Sequence, residues 1–183
     1  MRAFSQYASN INMYAFLEEI EATLNCGIWS PALASVLVVP DACGAIEFPD
    51  QRNGERYKSW YDANVEPFIF TQLSSGELVW KIRNAMIHEA GIQFTAFGFD
   101  RVLFTVPDKS GNVFDQNTSR PTQDSPLTLN LDLLLFVRRI LHGAEQWLSS
   151  IRDDVAKQGR LDRLLQLRPN GLAPHMVGMP LIA

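Results

Sequence analysis

Hydrophobic residues recur every three or four positions through most of the first half of the chain, which is the spacing of amphipathic α-helices. Proline or glycine interrupts or follows several of these stretches, as expected near helix ends. Ser30 is expected to cap the second stretch, and Pro40 to kink it or divide it into two helices. The pattern predicts helices over 12–26, 31–48, 55–65 and 74–91.

The stretch from Ser74 to Gly91 has the clearest helix boundaries in the sequence. Ser74 and Glu77 have the spacing of a capping box, in which each side chain satisfies a free backbone N–H of the first turn. Gly91 is expected to end the helix as its C-cap. Between these ends lies an apolar face made of Leu78, Val79, Ile82, Ala85 and Met86.

The periodicity changes after this helix. Residues 93–97 and 101–106 are β-prone and are separated by a short turn, which predicts a hairpin. The polar segment over 108–126 predicts a long loop. Asn130 is then expected to cap the longest helix, over 131–158, whose apolar residues alternate spacings of three and four. Such a seam is suited either to packing within a bundle or to pairing two subunits.

These elements together predict an all-α fold with a single domain over 1–183. The domain is expected to be a bundle of about five helices, with a small β-hairpin inserted after the helix over 74–91. A last short helix is predicted over 161–167. The tail over 168–183 is rich in proline and glycine and is expected to be irregular.

The composition is that of an ordinary globular protein, with 46% hydrophobic and 20% charged residues. A net charge of -4 and a pI near 5.3 give no overall field that would attract nucleic acid or an anionic membrane. The N-terminus lacks the pattern of a signal peptide, and the most apolar runs are shorter than the ~20 residues of a membrane span. We therefore expect a cytoplasmic protein without membrane association.

Cysteine usage and motif content bear on cofactors and metals. The two cysteines, Cys26 and Cys43, do not form a CxxC pair and are expected to be buried free thiols. The sequence contains no P-loop, no GxGxxG, no HExxH and no zinc-binding set of Cys and His. We therefore expect neither a cofactor nor a metal.

Candidate chemistry is concentrated at Arg83, Asn84 and His88. Histidine can accept a proton and return it near neutral pH, and a guanidinium can hold phosphate oxygens. Together they suit metal-free attack of a ribose 2′-hydroxyl on its neighbouring phosphate. However, five positions of α-helix separate the directions of Arg83 and His88 by roughly 140°, whereas Asn84 and His88 share a face. We therefore expect the pair to meet in a groove, at a distorted helix end or, most simply, across the two-fold axis of a dimer.

Structural explanations compete with this functional one. Arg83 could form a salt bridge with a carboxylate such as Asp41 or Glu47, and His88 could cap the last carbonyls of its helix. The bare spacing has little specificity, since Arg168 and His175 in the tail form a similar match.

Two other groups of residues are weaker candidates. His142 lies one turn after Arg138 and Arg139 on the long helix and is expected to be solvated or to act as a cap. A basic cluster lies close to aromatic residues, a combination that can bind single-stranded nucleic acid but that also describes an exposed face over core aromatics. This cluster consists of Arg52, Arg56 and Lys58, with Tyr57, Trp60 and Tyr61.

The segment from Leu78 to Glu89, LVWKIRNAMIHE, resembles the signature helix of the HEPN superfamily, the higher eukaryotes and prokaryotes nucleotide-binding domains. The family motif is Arg, four to six residues and then His, often with a polar residue directly after the Arg; Arg83, Asn84 and His88 match these positions. The resemblance covers about 15 residues in detail. The predicted hairpin and the long last helix depart from a minimal family bundle.

The resemblance implies a metal-independent endoribonuclease that acts as a homodimer, as in toxin–antitoxin, phage-defence and RNA-processing systems. His88 would be the general acid and base, Arg83 the phosphate clamp, and Asn84 would orient the histidine or the substrate. RNA and an antitoxin or another protein would then be partners. The alternative is a non-catalytic interaction or ligand-binding module of the same fold, which the acidic net charge favours.

Overall fold

The computed structural model describes residues 11–65, 75–89, 93–96, 98–108, 117–120, 122–164 and 167–183. Helices make up most of this part of the chain. The seven helices that it contains are α1 (Ile11–Asn25), α2 (Trp29–Val36), α3 (Val39–Glu47), α4 (Asn53–Asn64), α5 (Gly76–Glu89), α6 (Leu133–Ser150) and α7 (Val155–Leu161).

A mixed four-stranded sheet accompanies the helices, so the prediction of an all-α fold is wrong and the fold is mixed α/β. Its strands are β1 (Gln93–Ala96), β2 (Phe99–Thr105), β3 (Asn117–Ser119) and β4 (Leu127–Asp132), in the order β1-β2-β4-β3. The antiparallel pairing of β1 with β2 confirms the predicted hairpin, although Phe97 lies outside the described residues. β4 runs parallel to β2 and antiparallel to β3.

The parallel pairing of β2 with β4 explains the segment predicted as a long loop. Parallel strands need a long crossover connection, and the segment over 108–126 provides it and also contains β3. Residues 109–116 and 121 of this segment lie outside the described residues. The sheet packs against the helical core through Val102, Leu129 and Leu131, which are at most 4% exposed.

The longest helix is shorter than predicted, because its first residues belong to β4. α6 begins at Leu133, and Asp132 caps it by accepting a hydrogen bond from the backbone N–H of Leu135 at 3.0 Å. The expected cap, Asn130, lies inside the strand. The helix ends at Ser150, and Asp154 caps the separate helix α7.

The seam of this helix packs inside the chain. Its members Val137, Leu141, Ala144, Leu148 and Ile151 are at most 5% exposed. Packing within the fold is therefore confirmed for these five residues, which are not free to pair two subunits. Val155, an apolar residue of the helix predicted over 131–158, lies in α7 and is 85% exposed.

The helix boundaries in the first half agree in part with the prediction. The chain divides between α2 and α3, and Pro40 lies in the first turn of α3, as expected for a proline that starts a new helix. Ser30 does not cap α2, because that helix begins one residue earlier at Trp29. Gly27, with φ of 74°, follows the end of α1, as expected for a glycine after a helix.

Helix α3 is anchored at its end by a charged residue. Glu47 accepts hydrogen bonds from Lys157 Nζ at one carboxylate oxygen and from Trp147 Nε1 at the other, each at 2.8 Å. These contacts join α3 to α6 and α7, and so fix the helix that carries Asp41.

The stretch Trp29–Glu47 is long and apolar enough to cross a membrane by length and composition alone, with 19 residues and a mean hydropathy of 1.4. Half of it is buried inside the protein, and the buried core helices of other proteins have the same composition. Of the two cysteines, Cys43 is buried as predicted, and burial raises the pKa of its thiol well above the usual range. Cys26 is exposed, so that part of the prediction is wrong.

The tail is less irregular than predicted. It contains two short antiparallel ladders, one between β5 (Leu167–Arg168) and β8 (Leu181–Ile182) and one between β6 (Gly171–Leu172) and β7 (Met176–Val177).

Candidate functional site

Helix α5, which carries the three candidate residues, is held at its start by α4. The backbone N–H of Gly76 donates to Asp62 Oδ1 at 2.6 Å, and Glu77 forms an ion pair with Lys58 at 2.8 Å. A Cβ at position 76 would come within 2.7 Å of the backbone of Lys58, so this close approach requires glycine. Glu77 thus contacts Lys58, whereas Ser74 and Gly91, the expected caps, lie outside the described residues.

Arg83 is anchored by Asp41. Its Nε and Nη2 atoms lie 3.0 and 2.8 Å from the same oxygen of Asp41, Oδ2. Both side chains are largely buried, with 16% and 14% of their surfaces exposed. The structural explanation of Arg83 as half of a salt bridge is therefore confirmed for Asp41, whereas Glu47 contacts Lys157 and Trp147.

The same guanidinium also contacts the other two candidate residues, Asn84 and His88. Nη1 of Arg83 donates to Asn84 Oδ1 at 3.1 Å and lies 3.2 Å from His88 Nε2. The expectation that Arg83 and His88 need a groove, a distorted helix or a second copy is wrong. The arginine side chain is long enough to reach along the surface of its own helix to His88.

The chemistry of these groups assigns the donors and acceptors of this contact. A guanidinium has only donors, so His88 Nε2 accepts from Arg83 and the imidazole is neutral in this arrangement. His88 is exposed at the end of α5, whereas the Arg83 side chain is largely buried. The site therefore presents a neutral imidazole to solvent, with a cation directly beside its basic nitrogen.

Burial makes the charge of Asp41 costly. Desolvation raises the pKa of this carboxyl, and the opposing attraction of Arg83, and then of Arg56, does not cancel that effect. The second oxygen of Asp41, Oδ1, is buried without a hydrogen-bond partner. Buried ion pairs of this kind are weak sources of stability, and perturbed titrating groups are common at functional sites.

Two aromatic rings pack next to the Arg83 guanidinium. The guanidinium of Arg83 lies 5.1 Å from the centre of the Trp80 ring, which in turn packs on Tyr57 with 5.0 Å between ring centres. Trp80 was missed at the level of sequence. Its position three residues before Arg83 on one helix face is the signal that indicates this contact.

The other candidates are distributed elsewhere. Tyr57, Trp60 and Tyr61 are at most 1% exposed, so the aromatic part of the basic cluster is core and cannot stack on nucleic-acid bases. His142 is exposed and contacts Gln146 at 2.9 Å, in agreement with a solvated role. In the described tail, no hydrogen bond joins Arg168 to His175.

An open groove of about 470 Å³ lies between α1 and α6, on elements other than α5. Its charged lining consists of Glu18, Glu21, Arg138 and Glu145, with His142 beside them. Arg138 is paired with Glu21 at 3.2 Å. Within the described ranges, no three His, Cys, Asp or Glu side chains are grouped as metal ligands.

Comparison with known proteins adds no relative: no protein-family model, no curated protein and no solved structure matches this chain.

Proposed function

We propose that this protein is a metal-independent endoribonuclease of HEPN type, with Arg83, His88 and Asn84 at its active site. The observation that carries the proposal is the 3.2 Å contact between Arg83 Nη1 and His88 Nε2 at an exposed helix end. It brings a group that can transfer protons next to a group that can hold a phosphate, within one chain.

The chemistry follows from the two groups. A phosphate oxygen of the substrate replaces His88 as the acceptor for Arg83 Nη1, which frees the lone pair of Nε2. His88 then takes the proton of the ribose 2′-hydroxyl, and the 2′ oxygen attacks the adjacent phosphorus. The bond to the 5′ oxygen breaks, and a proton from the imidazolium neutralises that leaving group. The products are a 2′,3′-cyclic phosphate and a 5′-hydroxyl.

Asp41 and Asn84 act through Arg83. Asp41 holds Nε and Nη2, so that Nη1 is the edge of the guanidinium directed toward the histidine. Asn84 Oδ1 accepts from the same Nη1 atom and restrains its orientation. Both are positioning residues in this scheme.

The resemblance also implies a homodimer, which we retain as part of the proposal, with each chain contributing its own complete pair. A dimer would place two Arg83–His88 pairs beside one RNA strand. RNA as substrate and an antitoxin or other protein as regulator follow from the same resemblance and are proposed on that basis. A cytoplasmic location is also part of the proposal.

A second candidate function has support from a different observation. Four contacts already engage the guanidinium of Arg83, two with Asp41 and one each with Asn84 and His88. Such an arginine is also what a non-catalytic interaction module would use to fix α5 against α3. The net charge of -4 favours this alternative.

An RNA-cleavage assay in the presence of EDTA discriminates the two. Wild type should cleave single-stranded RNA, and Arg83→Ala and His88→Ala should each lower the rate by about 10²-fold or more. His142→Ala is the matched control, since this histidine is also exposed on a helix but lies away from α5. Equal rates in all four proteins would identify a contaminant and reject the assignment.

A further inference from the structure

Arg56 lies on the face of α4 that packs against α3. A Cβ at Gly44 would come within 2.7 Å of the carbonyl oxygen of Arg56, so the two helices are in direct contact at this point. Asp41 is three residues before Gly44 and therefore shares its helix face. Arg56 is therefore carried by a helix that contacts α3 on the face that also carries Asp41.

One nitrogen atom of the Arg56 guanidinium has no hydrogen-bond partner among the described residues. This nitrogen, Nε, is buried and makes no hydrogen bond. Asp41 Oδ1 is likewise a buried acceptor without a hydrogen-bond partner. The pKa of Asp41 is raised by burial and lowered by Arg83. Arg56 lies close enough for its charge to lower that pKa as well, by a smaller amount. The residue is only partly buried, so part of it remains accessible to solvent.

The charges around Asp41 do not balance. Among these three residues, Arg83 and Arg56 contribute two positive charges and Asp41 contributes one negative charge. Four contacts engage the guanidinium of Arg83, whereas Arg56 Nε has no hydrogen-bond partner in the part of the chain that the structure describes. Of the two guanidinium groups, the one on α4 therefore has fewer contacts with described residues and is the one that an approaching anion can bind.

We propose that Arg56 is a phosphate-binding residue of this site, which holds the backbone of single-stranded RNA beside the Arg83–His88 pair. The inference rests on the proposed function and assigns to it a binding residue outside the Arg-x4-6-His motif. Arg56 acts on affinity for the strand rather than on proton transfer. Its removal therefore raises KM, and kcat stays close to that of wild type.

Binding can be measured separately from cleavage with a fluorescent single-stranded oligonucleotide in which every 2′-hydroxyl is methylated. In EDTA, Arg56→Ala should weaken binding about tenfold and reduce the salt dependence by about 0.7 in slope, the value for one phosphate contact on a single strand. Arg56→Lys should recover part of the affinity, because it keeps the charge but loses the planar fork. Arg52→Ala is the matched control, since it removes the same charge from the exposed cap of α4, and should bind within about twofold of wild type.

The outcomes separate this inference from the function on which it rests. Binding by Arg56→Ala equal to wild type, or an equal loss in Arg52→Ala, would overturn the inference. Cleavage by wild type that His88→Ala abolishes would still support the ribonuclease in that case. Absence of oligonucleotide binding by wild type would reject the role of Arg56, and absence of RNA cleavage would separately reject the nuclease. A specific loss in Arg56→Ala without cleavage by wild type would support an RNA-binding site that does no chemistry.

Discussion

Asp41 Oδ2 lies 3.0 Å from Nε and 2.8 Å from Nη2 of Arg83, a residue 42 positions further along the chain. The pair fixes the guanidinium, and the remaining nitrogen reaches His88. Burial raises the pKa of Asp41 even with this partner present. The ionised form of the carboxyl is therefore stabilised mainly by Arg83.

This dependence predicts unequal effects of removing the two partners. Arg83→Ala should lower the free energy of unfolding by about 2 kcal/mol, since it leaves a buried carboxylate unpaired. Asp41→Asn should cost less than about 1 kcal/mol, because the amide carries no charge to desolvate. The double variant should be more stable than the sum of the single effects implies, by roughly 1 kcal/mol. Urea unfolding of the four proteins measures this, and strict additivity would contradict the coupling.

The effect of Arg83→Ala should also depend on pH. A raised carboxyl pKa in the folded state gives a stability contribution that is present below the usual value of 3.8 and is lost as pH rises through the folded pKa. Removal of Arg83 takes away an influence that lowers this pKa. The destabilisation should therefore be small near pH 4 and grow toward neutral pH, and a constant difference would contradict this.

Glu47 should show the opposite dependence. Burial opposes its charge, but hydrogen bonds from Lys157 and then Trp147 outweigh that effect and lower its pKa below the usual 4.5. Its contribution is present above pH 4.5 and is lost as pH falls through the folded pKa. Glu47→Gln should therefore cost about 1 kcal/mol at neutral pH and progressively less as pH falls below 4.5. Urea unfolding across this range checks the prediction, and an equal cost at both ends would reject it.

Two helical glycines offer a matched test of how closely α3 and α4 pack. Gly44→Ala should destabilise the protein by about 1–3 kcal/mol, since its Cβ would lie 2.7 Å from a backbone oxygen of Arg56. Gly159→Ala in α7 meets nothing within 4 Å and should be neutral or stabilising by up to about 1 kcal/mol. Thermal unfolding compares them, and equal midpoints would show that the contact tolerates a methyl group.

Whether the pair works within one chain can be tested by mixing variants. Arg83→Ala and His88→Ala chains, unfolded and refolded together, should remain inactive, because no chain in the mixture carries both residues. A site built across a two-fold axis would instead regain activity, since one of its two composite sites would be intact. Recovery of a substantial part of wild-type activity would therefore contradict the pairing within one chain.

The sequence predicted much of the helical part, because apolar spacing and proline or glycine boundaries are local signals. The sheet was missed for two reasons. Strand β4 continues directly into α6, so the alternating pattern LTLNLD has no turn to separate it from the helix, and Asn130 was taken as the cap in place of Asp132. The parallel pairing of β4 with β2 also joins residues far apart in sequence. Asp41 was named as a partner of Arg83 from charge alone. The contact with His88 was missed, because an angle around the helix axis ignores the length of an arginine side chain.

The termini of the RNA products test the central claim most directly. Wild type in EDTA should release fragments that end in a 2′,3′-cyclic phosphate and begin with a 5′-hydroxyl, and His88→Ala should release almost none. His142→Ala should give the same ends at the same rate as wild type. Fragments with 3′-hydroxyl and 5′-phosphate ends, or cyclic ends that persist in His88→Ala, would contradict a metal-free site built on Arg83 and His88.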